Sequence, residues 1–173
     1  MTLTIGQAAP DFTLPDTHGD PTPLGDAPLT VVVFTCNHCP YALAWHERIQ
    51  DVARDYEADG VRLLQISSND AGRYPRDSYE AMKARVDAGD FAGPYLYDES
   101  QEVARAWGAT ATPHVFVLDA DRRVIYQGAP DPDYTDESLR ARWLREALDD
   151  VLAGRAVQKP NTEAVGCSIK WRG

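Results

Sequence analysis

The sequence lacks any apolar run long enough to cross a membrane, and its start, MTLTIGQAAPDFTLPD, lacks the basic and apolar regions of a signal peptide. These absences predict a cytoplasmic protein with no membrane partner. Clusters of lysine and arginine are also missing, and the net charge is −10. Nucleic acid is therefore not an expected partner, because its phosphates repel an acidic surface.

Cysteine is scarce as well, and the chain has only three, Cys36, Cys39 and Cys167. An odd number argues against a fully disulfide-paired secreted scaffold. A chain of 173 residues buries enough apolar surface to fold without a disulfide. The cysteines are therefore free for chemistry. In a reducing compartment, a close pair is more typical of catalysis or metal binding than of a structural disulfide.

The apolar pattern predicts a single α/β domain over residues 1–173. Residues 1–28, which are rich in proline, glycine and aspartate, form an N-terminal extension with a small β-hairpin. Residues 29–153 form the core. Residues 154–173 form a C-terminal tail, whose sequence has little periodicity.

Leu29 to Thr35 is a short apolar run typical of a strand buried on both faces, and Val61 to Ser67 is predicted to be the next strand. An amphipathic helix is predicted between them, and a βαβ unit of this kind has adjacent parallel strands. An insert with a helix follows, and a strand and hairpin come after Thr112-Pro113. A long helix ends the core. This order predicts a mixed central sheet covered by helices on both faces.

The chemistry centres on Cys36-Asn37-His38-Cys39, which directly follows the first predicted strand. A helix is expected within the next few residues, so Cys36 lies at or just before its N-terminus, where the helix dipole and unpaired N–H groups favour a thiolate. Cys39, one turn further in, is placed to attack a mixed disulfide on Cys36. Cys36 is therefore the expected nucleophile and Cys39 the expected resolving thiol. Their disulfide is the redox centre, and no other cofactor is expected.

Two further features are expected to tune this dithiol. His38, when cationic, favours the thiolate and makes the disulfide more oxidising. Thr112-Pro113 opens a later strand, so Pro113 is a candidate for a cis peptide bond. A cis proline beside the dithiol would leave the Thr112 backbone free for strand-like pairing with a substrate peptide.

These motifs, in this order, resemble the thioredoxin-like superfamily, and specifically its redoxin branch, the relatives of alkyl hydroperoxide reductase and thiol-specific antioxidant. The segment GQAAPDFTLPD at residues 6–16, the strand–CxxC–helix, and Thr112-Pro113 carry the resemblance. The CNHCPY motif and the GCSIKW tail at residues 166–171 resemble a smaller group of uncharacterised thioredoxin-like proteins. The resemblance implies a thioredoxin-like fold and thiol–disulfide oxidoreductase activity, on a protein or small-molecule disulfide. It also implies a reductant such as thioredoxin or a low-molecular-weight thiol.

A peroxiredoxin-like thiol peroxidase is the first alternative. Peroxiredoxins place Thr or Ser three residues before the peroxidatic cysteine and an Arg near the later strand. Here Cys39 aligns with that cysteine, but Cys36 takes the Thr position and Thr112-Pro113 lies where the Arg is expected. The resemblance therefore implies a dithiol rather than a peroxide-polarising set. The buried Asp of thioredoxins has Thr30 near its place, which leaves His38 and Glu47 as the candidate proton acceptors.

A zinc-binding structural site is the second alternative. Cys36 and Cys39 supply two ligands at suitable spacing, and His46, His114 or Cys167 would have to complete the set. Cys167 itself is open to two interpretations. It is either a tail cysteine without a role, or a third thiol that the tail brings back to Cys36 or Cys39. Ile169 and Trp171 give the tail apolar groups with which to dock.

Overall fold

The computed structural model describes all residues 1–173. Its helices and strands follow in this order: β1 (Thr13–Pro15), β2 (Pro21–Pro23), β3 (Leu29–Thr35), α1 (Pro40–Tyr56), β4 (Val61–Ser67), α2 (Tyr79–Asp87), β5 (Tyr95–Tyr97), α3 (Glu102–Trp107), β6 (Ala111–Thr112), β7 (His114–Leu118), β8 (Val124–Gly128), α4 (Arg142–Leu152) and β9 (Cys167–Ser168). None of the helices combines the length and apolar character that a bilayer-spanning helix needs.

The central sheet has five strands in the order β5-β4-β3-β7-β8. β3 and β4 are parallel, as are β4 and β5, whereas β7 runs antiparallel to both β3 and β8. The mixed sheet predicted from the sequence is therefore confirmed. β1 and β2 form the expected N-terminal hairpin, and α2, β5 and α3 form the insert before β6.

A separate apolar core lies on each face of the sheet. β3 supplies both, because alternate side chains of a strand point to opposite faces. Val31 and Val33 pack with residues of α1 and α4. Val32 and Phe34 pack on the other face, with residues of α3 and of the N-terminal extension. Every residue of β3 is buried, which explains why its sequence is one continuous apolar run.

A buried ion pair fixes α1 against the loop that precedes α4. Asp131 is 1% exposed and accepts hydrogen bonds from Trp45 Nε1 at 2.9 Å and from Arg48 at 2.9 Å. It also accepts from the backbone N–H of Ala141, one residue before α4. These contacts position α1, and with it the cysteine motif at its N-terminus.

Candidate active site

Helix α1 begins at Pro40, and Cys39 is its N-cap residue. Proline suits the first helical position, because it has no N–H that would need a partner there and its φ is already helical. The helix therefore starts later than expected, since the sequence predicted its N-terminus at or just after Cys36. Cys36 lies three residues before the N-cap, and Cys39 stands at the helix end rather than one turn inside it.

The tail brings the third cysteine to the same place. β9 pairs antiparallel with β6, so that Thr112 lies opposite Cys167. Cys167 packs against the small cluster that contains Cys36 and Cys39. The Thr112 edge, which was expected to be open for a substrate peptide, is thus occupied by the chain's own tail.

Each of the three sulfurs lies close to a backbone N–H at the start of α1. Cys36 Sγ accepts from the N–H of Cys39 at 3.3 Å. The N–H of Ala42 acts to lower the pKa of Cys39, and the N–H of Tyr41 acts to lower the pKa of Cys167. Because these N–H groups form the positive end of the helix dipole, they stabilise a negative charge on the thiol cluster.

Thr112 contacts both thiols of the pair. The Cys36 thiol is 3.6 Å from Thr112 Oγ1, and the Cys39 thiol is 3.2 Å from the Thr112 carbonyl oxygen. The Thr112-Pro113 peptide bond is cis, which confirms the expectation from the sequence. Thr112 and Pro113 therefore lie at the dithiol, as the sequence predicted.

The two thiols of the motif have opposite acidities. A hydrogen bond with Cys36 lowers the pKa of Cys39 to about 4, and hydrogen bonds from Cys167, Thr112 and Ala42 act in the same direction against burial. The hydrogen bond to Cys39, together with burial and the charge of Asp77, raises the pKa of Cys36. Together these shifts favour the thiolate on Cys39 and the proton on Cys36.

A titration of the reduced protein tests this assignment. We expect one thiolate, measured by its absorbance at 240 nm, to persist as the pH falls and to be lost with a midpoint near pH 4. Cys39→Ser removes this signal. Cys36→Ala retains it but moves its midpoint upward, because the hydrogen bond from Cys36 is the largest cause of the lowered pKa. A signal that survives in Cys39→Ser and vanishes in Cys36→Ala would contradict the assignment.

A fully buried carboxylate, Asp77, organises the other side of the motif. It accepts hydrogen bonds from the backbone N–H of Asn37 at 2.6 Å, from His38 Nδ1 at 2.5 Å and from Asn69 Nδ2 at 3.0 Å. The His38 ring also stacks on Tyr74, with centroids 5.3 Å apart. His38 is thus held by two partners from the loop after β4, rather than projecting freely into solvent.

Sequence reasoning missed Asp77, because its segment is a polar loop with no periodic pattern. The fold brings this loop over the motif, and burial of a carboxylate requires the donors that Asn37, His38 and Asn69 provide. One of the two proton acceptors considered from the sequence, Glu47, is exposed on α1. Asp77 is the buried acidic group whose charge acts on Cys36.

The structure separates two of the candidate zinc ligands from the cysteines. His46 Nε2 bonds to the Asp90 carbonyl at 2.7 Å. His114 uses both ring nitrogens, with the Thr110 N–H at 3.2 Å and Gln127 at 2.9 Å. Metal-ligating atoms of Cys36, His38 and Asp77 do lie within 4.8 Å of one another. The Asp77 oxygens, however, already accept three hydrogen bonds, so this group fits a hydrogen-bond network better than a metal site.

The residues around the thiols also differ from a peroxide-polarising set. The side chains that hydrogen bond to Cys36 or Cys39 are those of Thr112 and of the cysteines themselves, and none is an arginine. Arg85 bonds instead to Asn37 Oδ1, at 2.9 Å.

Two curated proteins are similar in sequence to this chain. A methylamine utilization protein MauD from Paracoccus denitrificans is 32% identical over 135 residues, covering 68% of this chain and 66% of that protein. A thiol:disulfide interchange protein DsbG from Pseudomonas aeruginosa is 31% identical over 144 residues, covering 68% of this chain and 53% of that protein. The chain thus spans less than two thirds of the length of these curated relatives.

Solved structures are also similar to this chain. An uncharacterized conserved protein from Geobacillus kaustophilus is 37% identical, with a TM-score of 0.94 and coverage of 99% of this chain and 94% of that one. Several peroxidoxin, thioredoxin and disulfide-oxidoreductase structures have TM-scores of 0.58–0.68 at 15–23% identity, a likeness that shows the thioredoxin-like fold alone. The profile of the AhpC/TSA family matches residues 5–127. The chain therefore belongs to the AhpC/TSA family, in the redoxin branch of the thioredoxin-like superfamily.

Proposed function

We propose that this protein is a thiol–disulfide oxidoreductase in which Cys36 and Cys39 alternate between a dithiol and a disulfide. The observation that carries the proposal is the convergence of both thiols on the N-terminus of α1, beside Thr112 and the cis Pro113. Such an end of a helix stabilises the thiolate that attacks a disulfide. The thiol:disulfide interchange activity named for the DsbG relative supports the same reaction here.

The two thiols have different roles in this proposal. The donors around Cys39 favour it as the thiolate, and Cys36, which keeps its proton, completes the disulfide. This order is the reverse of the one predicted from the sequence, in which Cys36 attacks first. The largest cause of the lowered pKa of Cys39 is its hydrogen bond with Cys36, and the N–H of Ala42 at the start of α1 acts in the same direction.

The proposed substrate is a protein or small-molecule disulfide. The reductant is thioredoxin or a low-molecular-weight thiol, and the proposed location is the cytoplasm. His38 is proposed to tune the redox poise through its pair with Asp77. No cofactor other than the cysteine pair is included in the proposal.

Parallel assays test the proposed function. We expect the protein to accelerate reduction of insulin disulfides by dithiothreitol. We expect it to consume hydrogen peroxide no faster than a variant without Cys39. Rapid peroxide consumption with no acceleration of insulin reduction would overturn the proposal in favour of a thiol peroxidase.

A further inference from the structure

The C-terminal tail occupies the sheet edge at which an extended substrate would pair. Cys167 lies opposite Thr112 in the β6–β9 pair. Lys170 holds the tail through its N–H to Asn69 at 2.9 Å, and Ile169 is 3% exposed in the apolar core. An external peptide strand therefore cannot bind this edge while the tail is in place.

The tail also runs unusually close to the dithiol. The Cα of Gly166 is so near the Thr112 carbonyl that a side chain at this position would overlap with the carbonyl oxygen. This close approach lets the next residue, Cys167, pack against the cluster that contains Cys36 and Cys39. Cys167 thus takes the position, relative to Thr112 and Cys39, that a cysteine of a bound substrate strand would take.

Access to solvent differs sharply among the three thiols. Cys36 is 1% exposed and Cys39 is 0% exposed, whereas Cys167 keeps part of its surface in solvent. Thiol–disulfide exchange requires the attacking sulfur to reach the disulfide directly. Of the three cysteines, Cys167 alone has both an outward side and a contact with the buried pair.

We propose that Cys167 is the entry thiol of the enzyme, which exchanges with external disulfides and relays the oxidation inward to Cys39 and then to Cys36. This inference rests on the proposed function of the Cys36–Cys39 pair. It assigns the tail a catalytic task, and it places the encounter with substrate at the surface of the tail. The substrates it fits are exposed disulfides, which need not enter the groove at Thr112.

The first step forms a mixed disulfide on Cys167. Burial and the hydrogen bond to Cys39 raise the pKa of Cys167 to about 11, so Cys167 gives up its proton only as it reacts. The Cys167 sulfur attacks one sulfur of the substrate disulfide RSSR′, the S–S bond breaks, and R′S⁻ leaves. The leaving sulfur takes the proton of Cys167 and departs as the thiol R′SH, while Cys39 stays a thiolate.

The next two steps move the disulfide inward. The Cys39 thiolate attacks Cys167 Sγ, the Cys39–Cys167 disulfide forms, and RS⁻ leaves with the proton of Cys36. The Cys36 thiolate then attacks Cys39 Sγ, and Cys167 leaves as a thiolate that solvent protonates. The net reaction oxidises two protein thiols to the Cys36–Cys39 disulfide and reduces RSSR′ to two thiols. The same steps in reverse reduce the Cys36–Cys39 disulfide and oxidise two external thiols through Cys167.

Trapping of the first intermediate tests the proposal. Reduced Cys39→Ser protein is treated with oxidised glutathione, and the adduct is located by peptide mass mapping. Without Cys39 the relay stops, so we expect glutathione on Cys167. An adduct on Cys36, with Cys167 free, would overturn the proposal.

Kinetics supply a second readout. We expect Cys167→Ser to react with oxidised glutathione at least tenfold more slowly than wild type, with an equilibrium constant for Cys36–Cys39 oxidation that changes less than twofold. A matched control, Cys167→Ser with Ser168→Cys, moves the tail thiol to the exposed neighbouring position and should not restore the rate. A wild-type rate in Cys167→Ser would overturn the relay. A wild-type protein that forms no Cys36–Cys39 disulfide at all would instead overturn the proposed function.

Discussion

Replacing either cysteine of the pair by serine is expected to abolish turnover of insulin disulfides, by about 10³-fold or more, the scale of losing a catalytic nucleophile. The two variants should lose activity to a similar extent, because a disulfide between Cys36 and Cys39 needs both sulfurs. The measurement is the initial rate of insulin reduction at a fixed concentration of dithiothreitol. Thermal unfolding of each variant checks that the fold is retained.

The comparison between the two variants separates the dithiol mechanism from the peroxidase alternative. A thiol peroxidase that uses Cys39 loses peroxide consumption in Cys39→Ser but retains its first, peroxide-dependent oxidation in Cys36→Ser. A dithiol oxidoreductase loses insulin reduction in both. Full insulin reduction by Cys36→Ser would contradict the role of Cys36 as the partner of Cys39.

Replacing Asp77 by alanine is expected to lower the free energy of unfolding by about 3 kcal/mol, the scale of leaving buried donors without their acceptor. Asp77 is fully buried, and its loss removes the acceptor of Asn37, His38 and Asn69. The measurement is chemical denaturation of the reduced protein. The substitution also removes the charge of Asp77. This charge is the third largest cause of the raised pKa of Cys36, and the hydrogen bond to Cys39 and burial are larger.

Asp70→Ala provides a matched control for Asp77→Ala, because Asp70 is an aspartate of the same loop. Its carboxylate accepts one local hydrogen bond, from the N–H of Gly72, and its arginine neighbours are 3.9 Å away. We expect a loss of about 1 kcal/mol or less, because its two arginine partners are exposed and held only at long distance. Equal effects of the two substitutions would contradict the role of Asp77 as the organiser of the motif.

The strands were predictable from the sequence because buried strands are rich in apolar residues. β3 and β4 are buried along nearly their whole length, so most of their residues are apolar, and both strands have the bounds that the sequence predicted. The cysteine motif was found for the same reason, since it directly follows β3. The start of α1 was misplaced, although Pro40 in the sequence carries the signal that fixes it.

No local sequence pattern reveals the position of the tail or the burial of Asp77. β9 has two residues, and long-range contacts hold it in place, such as those of Lys170 with Asn69 and with Gln101 at 2.9 Å. Asp77 lies in a polar loop whose burial depends on the packing of distant segments. Local pattern cannot reveal partners of this kind, because the donors and acceptors are far apart in the sequence. The expected location and reductant also stay predictions.

The most direct test of the account is equilibration of the wild-type protein with mixtures of reduced and oxidised glutathione, followed by mass mapping of the alkylated products. The account predicts a single two-electron transition, in which the oxidised form contains a Cys36–Cys39 disulfide and Cys167 is alkylated. A transition that leaves Cys36 and Cys39 alkylated at every ratio would contradict it, because the pair would then not be the redox centre.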